Sequence, residues 1–318
     1  MQVAFVGLGT MGFPMAGHLA RAGFDTVVFN RTAATAARWS AAYPGRVAAT
    51  PAQAAAGADV VCVCVGADDD VRAVLLGPDG ALGALVPGAT IVDHTTTSAE
   101  LAVEIAQRAA AAGVGFVDAP VSGGQAGAEA GRLSVMCGGE ADTVERVRPV
   151  LAAYGATITR IGPVGTGQLT KMVNQILVAG AVEGAAEALN FAMAAGLDLD
   201  RVLPAVSGGA ASSWYLTNRA ATMIRDEFDF GFAVDWMRKD LRICLAEAAR
   251  RGVPVPLTEL AESDLAASQA RGDGQLDATA VIRLRRLATA QPAADDADDA
   301  RPAGADRAAD VRGTASTG

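Results

Sequence analysis

The sequence predicts an α/β fold: a doubly wound sheet over the N-terminal half, then an all-helical domain. Three observations carry this. The first thirty-two residues read as strand, glycine turn, helix and strand. From Met1 to Ile161 short apolar strands alternate with Ala-rich helices, as in a sheet covered on both faces. After Gly167 the strand signal stops and helical patterning takes over.

Met1 to Val6 is the first apolar strand. Gly7-Leu8-Gly9-Thr10-Met11-Gly12 follows at once and opens a helix from Phe13 to Ala22. This is the Gly-x-Gly-x-x-Gly fingerprint of a Rossmann-type dinucleotide site in its required context. Gly7 permits the tight turn, Gly9 lets backbone approach a pyrophosphate, and Gly12 lets helix and strand pack closely. The helix N-terminus offers free N–H groups to the phosphates. A second strand, Thr26 to Phe29, ends at Asn30-Arg31-Thr32. An NAD site usually places a carboxylate there; an NADP site has a neutral group and an Arg. Asn30, Arg31 and Thr32 therefore point to NADP, with NAD left possible. No carboxylate is evident to repel a 2′-phosphate, and Arg31 is placed to grip it. Read blandly, Arg31 is a solvated turn residue.

A helix runs to about Ser40, and a short strand lies near Val47 to Ala49. Thr50-Pro51-Ala52-Gln53 reads as a helix start, with Thr as cap and Pro at the first helical position. Val60 to Val65 is a pure apolar run, as for a central strand buried on both faces. Its end, Val65-Gly66 and the loop Ala67 to Asp70, falls at the strands' carboxyl edge beside a bound dinucleotide. Asp69 to Leu76 is a short helix. Thr90 to Asp93 is the next strand, running into His94-Thr95-Thr96-Thr97. Thr97 and Glu100 are read as a capping box for the helix Ala99 to Ala112. Gly115 to Asp118 is a strand, followed by Ala119-Pro120-Val121-Ser122-Gly123-Gly124. Leu133 to Cys137, Ala141 to Ala153 and Ala156 to Ile161 read as strand, helix and strand.

Gly162-Pro163-Val164-Gly165-Thr166-Gly167 is a hinge-like loop. Gln168 to Ala195 is one apolar helix, roughly 40 Å long at the usual rise, ended by Gly196. Asp200–Ser207, Trp214–Ile224, Val234–Arg251, Leu257–Arg271 and Ala278–Ala288 read as further helices. The expected division is a nucleotide-binding domain over 1–162, a helical substrate and dimerisation domain over 163–289, and a disordered tail over 290–318 without chemistry.

Composition narrows the function. Half the residues are hydrophobic, 51% of 318, enough for a sizeable core. The net charge of −9 argues against nucleic acid or an anionic membrane as partner. No basic leader precedes Val3 and no apolar run reads as a membrane span. The 4 cysteines fit a reducing compartment, so a cytoplasmic location is expected. Cys62-Val63-Cys64 is not a metal spacing, and with only 2 His no metal site or His-based triad is expected.

Three local patterns carry chemistry. In Ser122-Gly123-Gly124 two glycines bare backbone N–H groups that can hold a carboxylate, and Ser122 adds a hydroxyl. Lys171 and Asn174, three apart, share one face of the long helix. A Lys early in so apolar a helix is unexpected; once desolvated, its pKa falls toward working pH, which suits general acid work. Lys239-Asp240 lies on a later helix, where Asp240 can orient Lys171 or bind substrate and Lys239 can reach the cofactor. Each pattern alone also fits a bland role: a capped loop, a Lys reaching solvent, a solvated ion pair.

Together they resemble the β-hydroxyacid dehydrogenases, the family of 3-hydroxyisobutyrate dehydrogenase, tartronate semialdehyde reductase and the glyoxylate/succinic semialdehyde reductases. The matching stretches are Gly7 to Ala16, Asp118 to Gly124, Gly167 to Gln175 and Lys239-Asp240-Leu241, over about residues 1 to 290. The resemblance implies Lys171 as catalytic acid, and Ser122, Gly123, Gly124, Asn174 and Asp240 as substrate binders. It implies Thr96, Val65, Gly66 and Lys239 around the cofactor, with the glycine turn and Asn30-Arg31-Thr32. A small carboxylate-bearing aldehyde or hydroxy acid would be the substrate, in an interdomain cleft, and the helical domain would build a homodimer or homotetramer. Two positions depart from the family's usual pattern: His94-Thr95 where x-Ser stands, and Val65-Gly66 where Leu-Pro stands. The rival readings are an imine reductase, which usually lacks the Lys, and a non-catalytic dinucleotide sensor. A 6-phosphogluconate dehydrogenase would want a His beside the Lys, where Val173 and Asn174 stand.

Overall fold

The computed structural model describes residues 1–290; beyond its first residue, the tail expected from 290 on lies outside the described residues. The N-terminal part runs β1 (Gln2–Val6), α1 (Gly12–Arg21), β2 (Asp25–Phe29), α2 (Ala33–Ala42), β3 (Arg46–Val47), α3 (Pro51–Ala55), β4 (Val60–Val63), α4 (Asp68–Leu76), β5 (Thr90–Asp93), α5 (Ala99–Ala111) and β6 (Gly115–Asp118). It continues with β7 (Val121–Ser122), α6 (Gly124–Glu129), β8 (Leu133–Gly138), α7 (Ala141–Leu151) and β9 (Gly155–Gly162). The first six strands are parallel in the order β3-β2-β1-β4-β5-β6, a Rossmann-type doubly wound sheet. β8 joins antiparallel to β6 and to β7, and β9 pairs parallel with β8, so the far edge is mixed.

The central strands lie buried between two apolar layers, because Val3, Phe5, Cys62 and Val92 face one side and Ala4, Val6, Val61 and Ile91 the other. Local signals explain several ends. Thr50 accepts from the N–H of Gln53 at 3.1 Å, with Pro51 at the first helical position. At α5 the cap is Ser98, not Thr97. Ser98 Oγ accepts from Leu101 N at 3.1 Å, while Thr97 N donates to Gln168 Oε1. β7 and α6 were not foreseen: Gly123 at φ 130° and Gly124 at φ 60° turn the chain from a two-residue strand straight into a short helix.

The rest is helical: α8 (Thr166–Ala194), α9 (Leu199–Ser207), α10 (Trp214–Arg225), α11 (Val234–Arg251), α12 (Pro256–Ser268) and α13 (Ile282–Ala290). α12 stops earlier than expected: a wider turn follows and breaks at Gly272, φ 97°. Contrary to expectation, α8 is long and apolar enough by length and composition for a membrane span. In this fold it is the central core helix, touched by α10, α11, α12 and α13. It also buries Gln168, Lys171, Gln175 and Glu183, groups that hydrocarbon would not solvate.

Candidate active site

The glycine turn behaves as its spacing demands. A Cβ on Gly7 (φ 99°) would lie 2.2 Å from Cys64 O, and one on Gly12 would lie 2.0 Å from Gly7 O. A Cβ on Gly9 would meet nothing within 4 Å. Gly7 and Gly12 are thus demanded by packing, and Gly9 stands free on the open side of the turn. Leu8 is buried, whereas Thr10 is exposed and Met11 half-buried where α1 begins. No acidic residue sits in the first turn of α1, so the helix N-terminus keeps its attraction for anions.

The end of β2 differs in detail from the sequence expectation. Asn30 Oδ1 accepts from Leu8 N at 2.9 Å and its Nδ2 donates to Thr32 O at 3.1 Å. One end of that amide therefore holds the glycine turn and the other the start of α2. Arg31 is 89% exposed, and a carboxylate does lie near it: Asp70, from α4, at 3.5 Å. Asp70 is thirty-nine positions away in sequence, so nothing in the local pattern revealed it. Thr32 stands at the cap position of α2 without a side-chain bond to it.

At the carboxyl edge of the sheet, Val65 N donates to Thr95 Oγ1 at 3.1 Å. Lys239 reaches from α11 to Thr96 O at 2.7 Å and Gly66 O at 3.0 Å. Gln168 brackets the same loop, donating to Thr95 O at 2.7 Å and accepting from Thr97 N at 3.0 Å. His94 is structural. Its Nδ1 lies 2.7 Å from Ala119 O, which can only accept, so Nδ1 carries the hydrogen and Nε2 accepts from Tyr154 at 2.8 Å. Burial pushes its pKa down to about 4, so the ring stays neutral and ties the end of β5 to the end of β6.

Lys171 lies one turn inside α8, 8% exposed, with Nζ donating to Val121 O at 2.9 Å. Burial lowers its pKa, against the opposing pull of the Asp240 carboxylate. Asn174 Oδ1, on the same face, accepts from Ser122 Oγ at 3.0 Å. The structure thus brings Lys171 and Asn174 of α8 against Val121 and Ser122 beside the Gly123-Gly124 corner. Asp240 is buried on α11, accepting from Gln175 Nε2 at 2.7 Å and ion-paired with Lys239 at 3.0 Å.

Asp118 is a residue whose role the sequence did not disclose. At the end of β6 its carboxylate accepts from Gly165 N at 2.8 Å and Gln168 N at 2.9 Å, capping the start of α8. One buried side chain thereby fixes the Lys171 helix to the strand that leads into Ser122. Its place in the Asp118 to Gly124 stretch was the available signal. Of the aromatics, Phe230 and Trp236 line a cavity of about 230 Å³ with Thr10, Gln125, Asp229 and Gln275. Phe232 packs in the helical core, and Trp214 carries the Arg219 guanidinium on its face. Among the described residues no group of His, Cys, Asp and Glu could hold a metal ion.

Residues 2–162 match the family described as the NAD binding domain of 6-phosphogluconate dehydrogenase. Residues 165–285 match the one described as NAD-binding of NADP-dependent 3-hydroxyisobutyrate dehydrogenase. The chain belongs to the β-hydroxyacid dehydrogenase family. It is 51% identical over 281 residues to an oxidoreductase of Shewanella frigidimarina, covering 88% of this chain and 97% of that one. It is 37% identical over 287 residues to the 2-hydroxy-3-oxopropionate reductase of Escherichia coli, covering 90% and 98%. The solved 3-hydroxyisobutyrate dehydrogenase of Salmonella typhimurium superposes with a TM-score of 0.82 at 32% identity, over 89% of this chain and 99% of that chain. This β-hydroxyacid dehydrogenase is therefore an NAD(P)-dependent oxidoreductase, and the open face of Gly9 and the uncompensated start of α1 fit the dinucleotide.

Proposed function

We propose that the protein interconverts a small 3-hydroxy acid, or a 2- or 4-hydroxy acid, and its semialdehyde or keto acid, with NADP preferred. Lys171 is the general acid and base. One observation carries this reading: a buried ammonium held 2.9 Å from the carbonyl of Val121, next to Ser122-Gly123-Gly124. Only one hydrogen bond occupies Nζ among the described residues, so two N–H groups remain for a substrate oxygen.

The nicotinamide, when bound, supplies the hydride in reduction and accepts it in oxidation. The chain does the rest. Gly7 to Gly12 and the first N–H groups of α1 hold the pyrophosphate. The Gly123 and Gly124 N–H groups hold the substrate carboxylate with Ser122, whose hydroxyl turns from Asn174 Oδ1 to donate to it. The Lys171 ammonium stabilises the negative charge growing on the carbonyl oxygen and then gives it a proton. In oxidation, neutral Lys171 takes the proton back, and burial brings that form closer to working pH.

Arg31 supports the NADP preference. Its pair with Asp70 is solvent-exposed and 3.5 Å long; such pairs are worth at most about 1 kcal/mol, so a 2′-phosphate dianion displaces the carboxylate. Exposed Val173, Leu177 and Phe191 along one side of α8 support subunit contact through the helical domain. The buried Lys171 set also disfavours the imine reductase and sensor readings.

The test is the loss of NADPH and, separately, NADH absorbance with glyoxylate, succinic semialdehyde, methylmalonate semialdehyde and tartronate semialdehyde, with a cyclic imine as control. Turnover of an acid with NADPH preferred is expected. Turnover of the imine alone, or binding without turnover, would overturn the proposal.

A further inference from the structure

A continuous polar chain runs from Ser122 through the helix that carries Lys171. Ser122 Oγ donates to Asn174 Oδ1 at 3.0 Å, and Asn174 Nδ2 donates to Gln175 Oε1 at 2.8 Å. Gln175 Nε2 donates to Asp240 Oδ2 at 2.7 Å. The other Asp240 oxygen faces Lys239 at 3.0 Å, and Lys239 donates to Gly66 O and Thr96 O. The chain therefore starts at the substrate loop and ends on the two loops at the carboxyl edge of β4 and β5. Its middle member, Gln175, is 3% exposed and Asp240 is 2% exposed, so water does not share these bonds. Gln175 has to accept from one amide and donate to a carboxylate at once, which a carboxamide does and neither Glu nor Met does.

Resting on the functional reading above, we propose that Gln175 is a positioning residue that couples cofactor occupancy to the substrate loop. The Gly66 and Thr96 loops hold Lys239, Lys239 fixes Asp240, and Asp240 fixes the Gln175 amide. That amide decides which way Asn174 points at Ser122. A cofactor that settles those loops then holds Asn174, and with it the Ser122 hydroxyl that swings from Asn174 to the substrate carboxylate, in one place, so cofactor and substrate bind each other's complex more tightly. By linkage the effect is the same in both directions. No proton or electron moves along the chain.

Calorimetry on the full-length protein tests this. 3-Hydroxyisobutyrate and glycerate are titrated with and without saturating NADPH, a dead-end pair in which no hydride can pass. In the wild type NADPH is expected to tighten the hydroxy acid about tenfold, within the usual range of coupling between sites. In Gln175→Met, close in size but without either bond, the ratio is expected to fall below about twofold, with NADPH binding alone little changed. Gln175→Glu is expected to behave alike, because its carboxylate faces Asp240, and it serves if the Met variant fails to fold. A merely structural role would weaken both ligands together and leave the ratio intact; that result overturns the proposal, as does a wild type without coupling. Absence of NADPH binding, or of turnover with every acid of the panel, instead removes the reading of the site and this inference with it.

Discussion

The glycine turn and the Lys171 cluster, which we propose bind cofactor and substrate, are built in opposite ways. Gly7, Gly9 and Gly12 sit in one stretch, and the partners of Gly7 and Gly12 are a neighbouring strand end and the turn itself. Lys171 meets Val121, Asn174 meets Ser122, and Gln175 meets Asp240 across separations of 50, 52 and 65 positions. A site made from contiguous backbone is robust and legible. A site made from side chains on different elements depends on the few groups that hold those elements in register.

The largest effect separates two glycines of the same turn. Gly12→Ala puts a methyl 2.0 Å from Gly7 O and 2.9 Å from Phe5. It is expected to cost more than about 3 kcal/mol, beyond ordinary overpacking because backbone is struck. Gly9→Ala meets nothing; it is expected to keep the melting temperature and lose roughly tenfold in NADPH affinity, since the methyl stands where phosphate approaches. Thermal melts with a fluorescence titration distinguish them, and equal melting temperatures would break the contrast.

Asp118→Ala attacks the cleft and spares the turn. It leaves the buried N–H groups of Gly165 and Gln168 without their acceptor, at about 1–3 kcal/mol each. We expect a lower melting temperature and a higher KM for the acid, with NADPH affinity held. An unchanged KM would mean that α8 does not need this anchor.

The two regions also answer pH differently, because buried carboxylates lie away from the turn. Burial raises Asp93 and Glu183 to about 7 and Asp118 to about 6. Folded, each holds its proton more tightly than unfolded. The stability they contribute is full below their unfolded values and is lost as pH rises through 6 to 7. His94, lowered to about 4, runs the other way: its contribution is lost as pH falls from its unfolded value of 6.5 toward 4. Glu183→Gln isolates one group. It should melt about 2–4 °C above the wild type at pH 8, per kcal/mol gained, with the gap closing by pH 5. A constant gap would contradict the assignment.

The smallest effect concerns the cofactor's far end. Arg31→Ser should lower the NADPH-to-NADH preference in kcat/KM by about tenfold, the size of one charge-assisted phosphate contact. Asp70→Asn should raise it. Equal preference in all three proteins would remove Arg31 from 2′-phosphate recognition.

Much of the fold was readable because apolar strands alternate with Ala-rich helices, with a glycine turn after β1 and a Thr50-Pro51 cap before α3. The errors lie where tertiary contacts override local patterns. Thr97 looked like a cap, yet Gln168 claims its N–H and leaves Ser98 to cap α5. Asp70 was invisible beside Arg31 because the first turn of α4, distant in sequence, brings it there. At the cleft, residue types pointed to Lys171, Asn174 and Ser122 as parts. Asp118, Gln168 and Gln175 had no readable role, because their work is to join elements that only the fold places together.

The most direct measurement compares turnover of Lys171→Ala with the wild type, using the acid the panel shows to be the best substrate, after titration shows that the variant still binds NADPH. We expect kcat to fall by at least about 100-fold, the usual size of a general acid–base contribution. Turnover undiminished in a variant that binds cofactor normally would contradict Lys171 as the proton donor.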